Sequence, residues 1–136
     1  MPLVPRDEQP LEAVLGPIHN AWLAEIHRGL DSATDPASDF WARWVAVRYI
    51  CDDFQTRYQR ERALVDELRP FLLPDAAERL QVEGDRVFHL RLQLDRIGRR
   101  RGTAIEFAAG AHELLEQVAV WCAEIELAAR GMTRPW

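Results

Sequence analysis

One carboxylate stands inside an otherwise uncharged stripe. Phe40, Trp44, Val47, Cys51, Phe54, Tyr58, Glu61, Val65 and Leu68 follow one another by alternating steps of four and three. That spacing keeps side chains on one face of a helix, so Glu61 is expected to be buried. A buried carboxylate must be paired, protonated or bound to a metal. Arg57 lies four residues earlier, the spacing of an intrahelical ion pair. Beside a pocket, Glu61 would instead serve as a general base, with Tyr58 orienting the ligand.

The remaining polar candidates are weaker in spacing or in setting. His19 falls at the edge of an apolar arc, beside Trp22 and Leu23. His27 lies about two turns further on, too far to share an ion with it. His112 and Glu116 do have i,i+4 spacing, but both fall off the apolar arc of their segment, as expected of a solvated pair. Asp52 and Asp53 project away from the seam and are read as a solvated face. Arg99, Arg100 and Arg101, with Arg96 one turn earlier, form the sharpest charge cluster. Such guanidinium groups can fork onto a phosphate or an acidic partner. Cys51 and Cys122 both lie on core stripes with no cation to stabilise a thiolate, so both are expected to be inert. No Ser-His-Asp context, Gly-rich phosphate loop or CxxC is present.

Punctuation defines the elements that must position these residues. A Pro-rich lead-in over 1–9, expected to be flexible, precedes a first segment from about Pro10 to Leu30, where Gly16-Pro17 can kink the helix or delay its start. A second runs from about Ser38 to Leu68 and stops at Arg69-Pro70, because the residue before proline disfavours helix. A third restarts at Pro74-Asp75 and runs to about Ile97. The tract GRRRGT separates it from a fourth, about Thr103 to Arg130. Apolar arcs mark the outer three: Leu11, Leu15, Ile18, Trp22, Ile26 and Leu30; then Leu80, Val87, Leu90, Leu94 and Ile97, with Phe88 and Leu92 flanking; then Phe107, Ala111, Leu115, Val118, Cys122, Ile125 and Ala129. Asp85 and His89 fall on the side of the third segment opposite Val87 and Leu94. Four amphipathic helices with short connections predict an all-α, up-down-up-down antiparallel four-helix bundle over residues 10–136.

Composition narrows the class. The chain has 136 residues, 48% of them hydrophobic and 29% charged, enough for one domain that buries roughly two-thirds of its unfolded surface. A net charge of −5 and a pI near 5.4 argue against nucleic acid, which a basic face must meet. No apolar run approaches the ~20 residues that span a bilayer. The opening MPLVPRDEQP has no apolar h-region and does not read as a secretory signal. Two cysteines make no disulfide framework, so a reduced, cytoplasmic setting is expected.

The helix order, the helix lengths and the polar members of the stripes resemble the hemerythrin-like (HHE) bundles. That family holds a non-haem di-iron centre through a His on the first helix, HxxxE on the second, HxxxH on the third and HxxxxD/E on the fourth. In register, His19 takes the first place, RYQRE (Arg57 to Glu61) the second, DRVFH (Asp85 to His89) the third and WCAEIE (Trp121 to Glu126) the fourth. Arg57, Asp85 and Trp121 replace three of the family's histidines. His19, Glu61, His89 and Glu126 are left, with Asp85 as a substitute ligand. The resemblance thus implies the architecture, while an arginine and a tryptophan in the ligand places oppose a cation by charge and by volume.

Three functional expectations follow. The leading one is a non-catalytic binding or regulatory bundle without a cofactor, acting through a protein partner or a homodimer. It is motivated by the missing catalytic constellation and by five tryptophans, of which Trp41 and Trp136 lie off the seams; Trp and Arg are favoured interface anchors. The first alternative is a bundle binding iron or another divalent metal through His19, Glu61, Asp85, His89 and Glu126. The second is a small-ligand enzyme or sensor with a pocket around Glu61, between the first, second and fourth helices, where Arg57, Tyr58, His19 and Trp22 are the neighbouring candidates.

Overall fold

The helix break expected at Arg69-Pro70 is present, and the segments on either side of it are helical. The computed structural model describes residues 10–34, 40–99 and 104–132, with side chains at 10–31, 53–98 and 105–132. The helices are α1 (Leu11–Thr34), α2 (Phe40–Leu68), α3 (Pro74–Arg99) and α4 (Ala104–Ala128). Seven of the eight helix boundaries fall within two residues of expectation; the exception is the end of α1, which runs four residues past Leu30. Helix α1 also continues through Pro17 without interruption. Proline there removes one backbone bond, and the buried face on both sides holds the helix together.

At the α2–α3 connection, one 3-10 turn (Arg69–Phe71) follows α2, and Leu72 is extended at φ −110°, ψ 154°. Pro74 then opens α3 with its φ preset, and Asp75 places an acid on the first turn. At the end of α4, Gly131 adopts φ +80°, a conformation that glycine reaches without steric cost. The turn brings the Met132 carbonyl to the Leu11 N–H at 2.9 Å. One of the unsatisfied donors at the start of α1 is thereby capped by the chain that leaves α4.

Helix α1 packs on α2 and α4, and α3 packs on α2 and α4, so the four enclose a common core. The predicted α2 stripe is buried at every described position: Phe54, Tyr58, Glu61, Val65 and Leu68. Its earlier members Phe40, Trp44, Val47 and Cys51 lie outside the described side chains, as does Trp41. Helix α1 departs from its predicted arc at one place: His19 is buried and Ile18 half-buried. On α4 the expected Leu115 is only half-buried and Leu114 lies fully buried beside it, and Trp121 joins the buried face.

An aromatic cluster fills the centre. The Trp22 ring lies 5.4 Å from Phe54 and 6.5 Å from Trp121, and Tyr58 lies 5.5 Å from Trp121. Trp121 donates from Nε1 to the Leu80 carbonyl at 2.9 Å, and its ring presses on Gly84, where an added Cβ would stand 2.8 Å from a ring carbon. No helix among the described residues is long and apolar enough to cross a membrane.

Candidate functional site

The polar centre is built around His19. Its Nε2 meets Glu61 Oε2 at 2.9 Å and its Nδ1 meets Glu126 Oε2 at 3.1 Å. Arg57 closes on the other oxygen of Glu61 from one turn earlier on α2. His19 and Glu61 are each 1% exposed, whereas the Glu126 side chain is 30% exposed. Three helices therefore meet through one imidazole.

Ionised carboxylates only accept hydrogen bonds. An imidazole held between two such groups can donate from both nitrogens only when it is protonated. Burial is the largest influence on His19 and lowers its pKa; the hydrogen bonds and charges of Glu61 and then Glu126 together outweigh it, so the net shift is upward from 6.5. Cys122 is buried nearby. Desolvation pushes its thiol well above the usual range, and the charges of Glu61 and Glu126 push the same way, so it persists as an inert thiol.

A di-iron ligand set does not fit this arrangement. Both ring nitrogens of His19 already face carboxylates, and both oxygens of Glu61 are engaged, one by His19 and one by the Arg57 guanidinium. Trp121 fills the interior with ring rather than ligand. Asp85 and His89 do not join the cluster: Asp85 accepts from Arg62 at 2.6 Å, and His89 is exposed with its ring on the edge of Phe88. They leave because α3 turns Val87 and Leu94 inward and so faces their side away. Among the described residues, no group of three or more histidines, cysteines or acids is arranged to hold a metal.

Two expected ligand contacts are also relocated. The Tyr58 hydroxyl donates to the Gly84 carbonyl at 3.3 Å and accepts from Arg62 at 3.4 Å, which turns it to the α2–α3 contact. Trp22 sits in the aromatic core at 3% exposure, with its Nε1 unpartnered. Arg57, by contrast, faces open space. Between α1 and α2 runs a groove of about 920 Å³, walled by Leu11, Leu15, Ile18, Leu64 and Leu68, with Arg57, Arg60 and Glu61 along it and Met132 beyond α4 completing it. It lies where the third functional expectation put a pocket, beside Glu61 and Arg57, but without Tyr58, His19 or Trp22 in its walls; its width depends on the separation of two helices, which periodicity does not give. His112 and Glu116 form the expected exposed pair. Arg100, Arg101, Trp136, and the side chain of Arg99 lie outside the described residues.

Comparison with protein-family models, with curated proteins and with solved structures finds no match.

Proposed function

We propose that this protein is a non-catalytic binding bundle whose site is the α1–α2 groove. The observation that carries this reading is an apolar recess of about 920 Å³ backed by a closed ion cluster. A volume of that order accommodates a small ligand or the apolar side chains of a partner. Glu61, the candidate base, lines the recess with both oxygens engaged by Arg57 and His19, which favours holding the helices in register over proton transfer.

The bundle is read as up-down-up-down. Support comes from the α3–α4 pairs: Gly110 lies against Leu94 and Ile97, and Trp121 against Gly84, so advancing along α4 retreats along α3. Within that order, the resemblance to the hemerythrin-like bundles is taken as one of architecture without the iron chemistry.

The test is titration with a neutral apolar fluorophore such as N-phenyl-1-naphthylamine. Binding to the wild type, lost when the groove is filled by Val14→Trp with Leu64→Trp, is the expected result. An unresponsive wild type, or a filled variant that binds equally, would overturn the groove. A second reading, association through a protein partner or a second copy, draws on Phe71 and Leu73, exposed at 75% and 78% on the turn at the groove's end. Light scattering that shows a monomer at all concentrations would remove the homodimer.

A further inference from the structure

We propose that the α1–α2 groove takes a free single-chain amphiphile in its carboxylate form, with the head at Arg57 and Arg60 and the chain along Leu15, Leu64 and Leu68. The proposal rests on the groove reading and adds the ligand class. Polarity along the recess is uneven. Arg57, Arg60 and Glu61 occupy one stretch of α2, and towards Leu68, Leu11 and Met132 the walls become apolar, with Glu67 on the exposed rim. From Arg57 to Leu68 the helix rises about 16 Å at ~1.5 Å per residue, the reach of an extended dodecanoate chain.

The sign of the head group follows from what is already paired. Glu61 has Arg57 on one oxygen and His19 on the other, and Glu126 accepts from the same imidazole. Of the charged groups that line the groove, Arg57 and Glu61 are paired with each other, Glu67 lies at the exposed rim, and Arg60 stands on the same stretch of α2 as Arg57. Arg60 is exposed and makes no ion pair among the described residues. Arg57 carries a second indication: its Nε–H is buried with no hydrogen-bond partner, and a buried donor without an acceptor is costly. A guanidinium has five N–H donors in a planar fork suited to a carboxylate. Glu61 engages Nη2 of Arg57, and a ligand carboxylate arriving along the groove would meet the accessible end of that guanidinium, with Arg60 alongside. A free molecule is favoured over a lipid surface because the site is a recess and the protein carries a net charge of −5, which an anionic membrane repels.

The experiment is calorimetric titration with dodecanoate below its micellar concentration, with dodecanol and dodecyltrimethylammonium as neutral and cationic counterparts. Dodecanoate is expected to bind at least about tenfold more tightly than dodecanol, with the ammonium weakest. Arg60→Gln, at an exposed position that folding does not need, should weaken dodecanoate about threefold and leave dodecanol unchanged. Arg57→Gln should weaken it about tenfold. Equal binding of dodecanoate and dodecanol, with the neutral fluorophore still bound, would overturn the anionic assignment and leave the groove standing. Failure of all these probes would remove both. Sedimentation with phosphatidylglycerol vesicles but no binding of free dodecanoate would assign the site to membranes and overturn the proposal. So would a gain in affinity on deleting residues 2–9, which would make the chain's own N-terminal segment the occupant; unchanged affinity is expected.

Discussion

His19 Nε2 donates to Glu61 Oε2 across 2.9 Å, with both side chains 1% exposed, and the other ring nitrogen reaches Glu126 on α4. The imidazolium is the cation on which two carboxylates from different helices converge. Arg57 reaches only one of them, so removal of His19 leaves the Glu61–Glu126 pair with half its counter-charge.

Breaking a buried pair strands a desolvated charge and costs about 3 kcal/mol. His19→Ala should lower stability by roughly that amount, measured as a shift in urea midpoint at unchanged slope. A loss under about 1 kcal/mol would show that the cluster does not hold the helices. Glu61→Gln should destabilise too, since it leaves Arg57 and His19 facing a neutral amide.

The pH dependence has a defined sign. The folded-state pKa of His19 lies above its ordinary 6.5, so protonation favours the fold. The stabilisation is complete below about pH 6.5 and is lost as pH rises through the raised folded value. The groups facing the imidazole are Glu61, Glu126 and, through Glu61, Arg57, with Cys122 in the same field. The stability gap between wild type and His19→Gln should therefore narrow from pH 6.5 upward. A gap that widened there would mean His19 is neutral in the fold. Nitrogen NMR gives a direct reading: both ring nitrogens of His19 should be protonated below pH 6.5 and should lose a proton only at a higher pH than an ordinary imidazole does.

Gly84→Ala sets two effects against each other. Alanine is a better helix former by about 1 kcal/mol, yet its Cβ would stand 2.8 Å from the Trp121 ring. That ring is tied at Nε1 to Leu80 and packed among Trp22 and Tyr58, so it cannot yield cheaply. Overpacking of this kind costs about 1–3 kcal/mol, and the variant should be less stable on thermal melting. An increase in melting temperature would show that the ring has room to move.

Cys122 is fully enclosed, with its thiol pKa pushed up by burial and by the Glu61 and Glu126 charges. In a Cys51→Ser background, a disulfide reagent at pH 8 should label Cys122 only at the rate of unfolding. Rapid labelling of the folded protein would show an open path to the cluster.

Helical periodicity carries much of this architecture. On α2 the alternation of Phe54, Tyr58, Glu61, Val65 and Leu68 is legible because one helix repeats its own geometry, and the same rule turns Asp85 and His89 away from Val87 on α3. Arg57 is legible as a partner of Glu61 for the same local reason. His19 is harder to place: at the boundary of its arc, local rules leave its burial open, and the neighbouring α4 decides it by covering that edge.

What the sequence by itself determined lies within single helices: the four segments, most of each apolar face, the single acid in the α2 seam and its i,i+4 arginine. What only the tertiary structure decided is what lies between helices. His19 and Glu61 are 42 residues apart and His19 and Glu126 are 107 apart. Whether they touch depends on how far α1 slides along α2 and α4, a register that the packing of Trp22 against Phe54 and Trp121 sets. The groove beside Arg57 has the same origin, since the distance between two helix axes is a property of the side chains of both.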